Sequence, residues 1–149
     1  MFYPSIVENL ARNAMKNPDR LCLADENMAL TYKQVWDAVA GLATELDRRG
    51  VSREKCVVVE CDQSVNYMIW EFATQLLKGI FVPLEKNAAI PRILEIIGET
   101  DAVLHVSYRQ IPELGDLPHM DITEAAAFAL GCERDGVFHG SIDDLEVVD

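Results

Sequence analysis

The sequence predicts an α/β fold, a doubly wound and mostly parallel sheet flanked by helices. Three observations predict it. The stretches CVVVE (56–60), IFVPL (80–84) and AVLHV (102–106) are short apolar runs without polar alternation, as expected of strands buried on both faces. Between the first two lies SVNYMIWEFATQLLK, with Val65, Met68, Phe72, Ala73 and Leu76 at helical spacing. Between the second and third, Pro91 opens a segment carrying Ile93, Leu94 and Ile97, and proline at a first helical position costs little. Helices between such strands imply parallel crossovers, so residues 56–106 read as β-α-β-α-β.

The elements before this unit follow from local signals. Ser5-Ile-Val-Glu8 fits a capping box, and Ile6, Val7, Leu10, Ala11, Ala14 and Met15 continue a helix. Asn17-Pro18-Asp19 ends it, because Pro18 drives Asn17 away from helical angles. RLCLAD and MALTY then read as a small hairpin turning at Asp25-Glu26-Asn27, so residues 5–32 hold a helix and a hairpin. The helix over 31–50 is the best marked. Thr31 is its N-cap, Gln34 the capping-box partner, and Leu30 with Val35 the staple. Val35, Val39, Leu42, Ala43 and Leu46 form its apolar stripe, and Gly50 suits the left-handed closing residue. Residues 107–149 read as an irregular tail. It contains a loop over 111–118, a capping-box candidate at Asp121-Ile-Thr-Glu124, and a terminal strand-like LEVVD.

Composition narrows the function. At 149 residues a single domain is expected, since domains commonly hold roughly 100–150. Half of the residues are hydrophobic, enough for a real core. The formal net charge of -12 disfavours nucleic acid and anionic lipid as partners. No apolar run reaches the roughly 20 residues of a membrane span, and the N-terminus lacks the basic start and apolar block of a signal peptide. A cytoplasmic location is therefore expected. The cysteines Cys22, Cys56, Cys61 and Cys132 match no zinc spacing, and a reduced, structural role is expected for them.

Little chemistry can be assembled from these residues. The turn after the first parallel strand, Glu60-Cys61-Asp62-Gln63-Ser64, has no glycine and carries acids that repel phosphate. No G-x-x-x-x-G-K-S/T loop occurs. Asp62 at a strand end, and the pair Asp143-Asp144, read as solvated acids. Tyr67, Trp70 and Phe72 read as core, and His105 as a core or edge histidine. No catalytic, cofactor-binding or metal-binding residue is assigned.

Two stretches nevertheless resemble a known family. LTYKQV, from Leu30 to Val35, resembles the first core motif of the adenylate-forming enzymes, L-T/S-Y-x-E-L. LLKGIFVPLE, from Leu76 to Glu85, resembles the second, L-K-A-G-x-A-Y-V-P-L/I-D. Flanking segments from about Ser5 to Ser107 fit as well, including NPDRLCLAD and the helix behind CVVVE. Gln34 stands where the family has Glu, Glu85 replaces Asp, and Lys78 falls where a further glycine is common. The Y-P-x-E-R of peptide-synthetase members is reduced to Ile90-Pro91-Arg92, which tilts the resemblance toward acyl-CoA ligases.

The resemblance implies an incomplete N-terminal portion of the large domain of an AMP-forming acid–thiol ligase, spanning 1–149. In that family a segment like DDLEVV leads into a Ser/Thr/Gly-rich phosphate loop, which this sequence does not contain. ATP, Mg and CoA are implied for the parent enzyme, and none is assigned to this chain. The expected partner is the remainder of the parent chain, and the residues here are expected to be inactive alone. An alternative is a free-standing binding or interaction module, self-associating through an exposed sheet edge. A third reading, an unrelated doubly wound ligand sensor, leaves the paired motifs unexplained.

Overall fold

The computed structural model describes residues 6–61 and 63–128. Its elements run α1 (Ile6–Lys16), β1 (Leu21–Ala24), β2 (Ala29–Thr31), α2 (Tyr32–Arg48), β3 (Cys56–Cys61), α3 (Val65–Leu76), β4 (Ile80–Glu85), α4 (Ile90–Thr100), β5 (Leu104–Ser107), β6 (His119–Asp121) and α5 (Glu124–Ala127). A 3-10 turn, Pro112–Leu114, lies between β5 and β6.

β1 and β2 form the antiparallel hairpin, with Leu23 opposite Leu30 and Ala24 opposite Ala29. The other strands form a parallel sheet in the order β4-β3-β5-β6. Alternation along β3 sends Val57 and Val59 to one face, where they join Val35, Leu42, Leu46, Ile69 and Trp70 of α2 and α3. Cys56 and Val58 go to the other face and join Leu84 and Ile93 beneath α4. Helices therefore cover both faces, as a doubly wound sheet requires.

The capping box of α2 is complete. The Gln34 amide donates to Thr31 Oγ1 (3.2 Å), and the Thr31 amide donates to Gln34 Oε1 (2.9 Å). Leu30 and Val35 are both buried in the same core. The helix ends in a Schellman closure: the Gly50 amide donates to the Asp47 carbonyl and the Val51 amide to the Leu46 carbonyl. Gly50 sits at φ +92°. α3 ends the same way, with the Lys78 amide on Gln75 and the Gly79 amide on Thr74. There the left-handed position is held by Lys78, at φ +60°. Gly79 follows because a Cβ would lie 3.1 Å from the Lys55 carbonyl oxygen.

Two expectations need correction. IFVPL is not buried on both faces. β4 is an edge strand among the described residues, and Ile80 is 46% exposed. An unbroken apolar run reports hydrophobicity and not position in the sheet, whereas Pro83 is a residue that edge strands tolerate. Residues 107–149 are also not wholly irregular, since β6 extends the sheet parallel to β5. With three residues, β6 is too short to show any periodicity in sequence. The capping-box reading at Ser5, and LEVVD at the chain end, lie outside the described residues. The nearby Glu8 is buried and paired with Arg12.

Candidate functional site

In open parallel sheets, ligands bind outside the carboxyl ends of the strands where the strand order reverses. Here that point lies between β3 and β5, since the chain leaves β3 for β4 on one side and returns to β5 on the other. Glu60 occupies it. The residue is 2% exposed and faces the α4 side, in phase with Cys56 and Val58. Arg109, just beyond β5, donates from Nη2 to Glu60 Oε1 (3.0 Å) and to the Ala88 carbonyl (2.7 Å). One guanidinium thus ties the end of β3 to the loop between β4 and α4.

Glu60 Oε2 lies 3.3 Å from His105 Nε2, close but not aligned as a hydrogen bond. Burial pulls the His105 imidazole below its ordinary value, and this outweighs the upward pull of the Glu60 carboxylate. Ser107 Oγ completes the cluster. It donates to the Arg109 carbonyl (2.5 Å), accepts from the Arg109 amide (3.1 Å) and lies 3.0 Å from His119 Nε2. Beside the cluster, Lys86 Nζ lies 5.0 Å from the Tyr108 ring centroid. A cavity of about 50 Å³ separates Glu60, Lys86, Asn87, Tyr108 and Arg109, room for a water or two and not for a nucleotide.

The other place where a phosphate would sit is the N-terminus of α3. Asp25 fills it from the hairpin turn, accepting the Val65 amide on Oδ2 at 2.8 Å. Its other oxygen accepts the Asn27 and Met28 amides at 2.7 and 2.9 Å. These backbone donors, Val65 foremost and then Asn27, lower the Asp25 pKa. Ser64 caps the same helix by accepting the Tyr67 amide at 3.1 Å. The anion that a mononucleotide fold would recruit here is thus supplied by the chain itself, and the described residues do not fit the triphosphate of ATP.

The aromatic residues are core, as expected. Trp70 is fully buried with Nε1 donating to the Ile122 carbonyl at 2.7 Å, Phe72 is buried, and Tyr67 packs edge-on to Phe81. His105 is a buried core histidine. Cys56 is buried and free, and burial raises the pKa of the Cys22 thiol, so neither is poised to react. Asp62, Asp143 and Asp144 lie outside the described residues, as does Cys132. Among the described residues, no cluster of three or more His, Cys, Asp or Glu could hold a metal ion, and no helix is long and apolar enough to cross a membrane. Sequence reasoning did not pair Glu60 with Arg109. The available signals were an acid closing an all-apolar strand and a cation just past the strand AVLHVS.

Known proteins match this chain as a piece of something larger. Residues 10–135 match the model of the AMP-binding enzyme family. A polyketide synthase–nonribosomal peptide synthetase hybrid, himA of Aspergillus japonicus, is 27% identical over 122 residues, covering 82% of this chain and 3% of that protein. The dapdiamide synthesis protein DdaD of Enterobacter agglomerans is 27% identical over 118 residues, covering 77% of this chain and 20% of that protein. The chain therefore spans a small part of the curated relatives it matches. Among solved structures, VinN in complex with L-aspartate superposes with a TM-score of 0.81 at 20% identity, over 99% of this chain and 39% of VinN. The Klebsiella oxytoca NpsA N-terminal subdomain, bound to 3-hydroxybenzoyl-AMSN, gives a TM-score of 0.73 at 18% identity, over 95% of this chain and 36% of that one. The parallel sheet with helices on both faces corresponds to a part of these larger folds, and the chain belongs to the AMP-binding enzyme family.

Proposed function

We propose that these residues are the N-terminal scaffold of an ATP-dependent, AMP-forming ligase that activates a carboxylic acid as its acyl-adenylate. The family match across residues 10–135 carries this reading. ATP and Mg would be held by parts of the parent enzyme beyond these residues, as would the acid. The remainder of that enzyme is then the partner against which this layer packs, in a cytoplasmic protein.

The acid is proposed to be an amino or aryl acid handed to a carrier thiol. Support comes from relatives that are nonribosomal peptide synthetases by name. The acyl-CoA alternative rests on the reduced Ile90-Pro91-Arg92 stretch. ATP–pyrophosphate exchange separates these readings. The purified 149-residue chain is expected to give none. The product of the complete reading frame, read past the codon for Asp149, is expected to exchange with one class of acid. Exchange by the 149-residue chain would overturn the scaffold assignment. Transfer of the acyl group to CoA in place of a carrier protein would select the acyl-CoA alternative.

The free-standing module has one observation in its favour, the outer edge of β4, unpaired among the described residues, with Ile80 exposed. Pro83 offers no N–H in the middle of that edge, so the edge is a poor template for a second copy. Sedimentation of the chain at high concentration is expected to show a monomer, and a stable dimer would revive the module.

A further inference from the structure

At the carboxyl end of the sheet a guanidinium and an imidazole share one buried carboxylate. Arg109 Nη2 lies 3.0 Å from Glu60 Oε1, and His105 Nε2 lies 3.3 Å from Glu60 Oε2. The His105 side chain is fully buried, whereas that of Arg109 is 36% exposed. His105 is fixed in place, because β5 pairs with β3 on one side and with β6 on the other. Arg109 lies beyond the end of β5, within reach of solvent, so it is the partner that can leave. It also donates to the Ala88 carbonyl at 2.7 Å, and so holds the 86–89 loop between β4 and α4. Ala88 is the buried residue of that loop, between exposed Lys86, Asn87 and Ala89. Its amide donates back to the Glu85 carbonyl at 3.1 Å.

The charge balance makes the two cations rivals. His105 faces the Glu60 carboxylate from β3, the His119 ring from β6 and the Arg109 guanidinium from the segment after β5. The loop residues that line a hollow beside it, Gln110, Ile111, Pro112 and Leu114, carry no charge. With His105 neutral, Glu60 and Arg109 balance each other. A proton on His105 sets two cations against one carboxylate, and an uncompensated charge in a buried place is costly. Burial holds the imidazole below its ordinary value, so the proton is absent at neutrality and enters as pH falls below about 6.5 toward the folded value. Linkage is reciprocal: the factor by which Arg109 weakens proton binding equals the factor by which the proton weakens the Arg109 contact.

We infer that Glu60, His105 and Arg109 form a pH-operated clasp: proton uptake by His105 releases Arg109 from Glu60 and from Ala88, and frees the 86–89 loop. That loop lies at the carboxyl end of the sheet, the end where open parallel sheets take their ligands. Amide hydrogen exchange of the 149-residue chain tests the clasp, with rates corrected for the intrinsic effect of pH. The Ala88 amide is expected to lose about tenfold in protection between pH 8 and pH 5. The Val58 amide, on a strand paired at both sides, is expected to stay better protected at every pH, which marks the opening as local. His105→Gln, which keeps a neutral polar side chain, is expected to flatten the Ala88 profile. In Arg109→Gln, His105 is expected to titrate about one pH unit higher by ¹H–¹⁵N correlation, and reciprocity requires that shift to match the loss at Ala88. The inference is overturned if Ala88 keeps its protection as pH falls, or if it exchanges only as fast as Val58. It is equally overturned if His105→Gln retains the fall, or if Arg109→Gln leaves the His105 titration unmoved. The exchange profile of the parent chain decides the matter even if neither variant folds.

Discussion

Replacing Lys78 with glycine should stabilise this protein, because the left-handed position that closes a helix is the one where glycine is favoured. Lys78 holds φ +60° as the left-handed residue of the closure of α3. An L-residue in that conformation is disfavoured by roughly 1–2 kcal/mol, because its Cβ crowds the carbonyl that follows. Glycine removes this term and adds about 0.5–1 kcal/mol of extra chain entropy to the unfolded state. The side chain is half-exposed and its polar interactions add little. The balance favours Lys78→Gly by about 0.5–1 kcal/mol, or roughly 1–4 °C in the melting midpoint. Gly50 supplies the mirror experiment. It closes α2 by the same pair of hydrogen bonds, at φ +92°, and a Cβ there meets nothing within 4 Å. Gly50→Lys should therefore cost a similar amount by conformation alone. Urea unfolding followed by far-UV circular dichroism measures both, with Lys78→Ala as the control that keeps the left-handed strain. If Lys78→Gly lowers the midpoint, or Gly50→Lys leaves it unmoved, backbone conformation is not what distinguishes the two helix ends.

Arg109→Ala leaves Glu60 buried beside a neutral imidazole, and should cost about 3–5 kcal/mol in urea unfolding. Arg109→Ala combined with Glu60→Gln should recover a substantial part of that loss, and simple additivity in the double-mutant cycle would show that the two groups are not coupled. Trp70→Phe strips the donor from the buried Ile122 carbonyl and should cost about 1–3 kcal/mol. An unchanged midpoint would mean that water replaces the indole. Stability should also fall in separate steps as pH drops. His105 faces Glu60, His119 and Arg109, and its folded pKa is depressed. The unfolded chain therefore binds the proton more readily, and stability is lost as pH falls below about 6.5 toward the folded value. Asp25 is depressed as well, so its contribution survives until pH falls below about 3.9. A flat thermal midpoint between neutrality and mild acidity would contradict the neutral His105.

Local chemistry made much of this fold legible. The α2 start was readable because a capping box is a short pattern whose partners lie three residues apart. The unit from 56 to 106 was readable because a buried strand must be apolar whatever covers it. What the sequence could not display was position relative to other strands. IFVPL reads as interior and lies at the edge, and β6 carries no pattern of its own. The cluster at the switch point was hidden for the same reason, since Glu60 and Arg109 stand 49 residues apart. The rejection of a phosphate site rested on acids and a missing glycine in the turn after β3. The structure adds a stronger reason, an aspartate from a different element already seated on the helix.

That aspartate also bears on the order of events in folding. Asp25 and the Val65 amide are separated by 40 residues, and closing a loop of that length costs more chain entropy than one charge-assisted hydrogen bond returns. The hairpin turn can form from its own neighbours, yet it stays an isolated two-stranded ribbon, marginal in water, until α3 has been made and docked. The bond to Val65 is thus expected to close after the rate-limiting step, acting as a latch and not as a nucleus. In stopped-flow measurements, Asp25→Ala should speed unfolding and leave the folding rate nearly unchanged. A variant that instead folds slowly would place the hairpin–helix contact in the transition state.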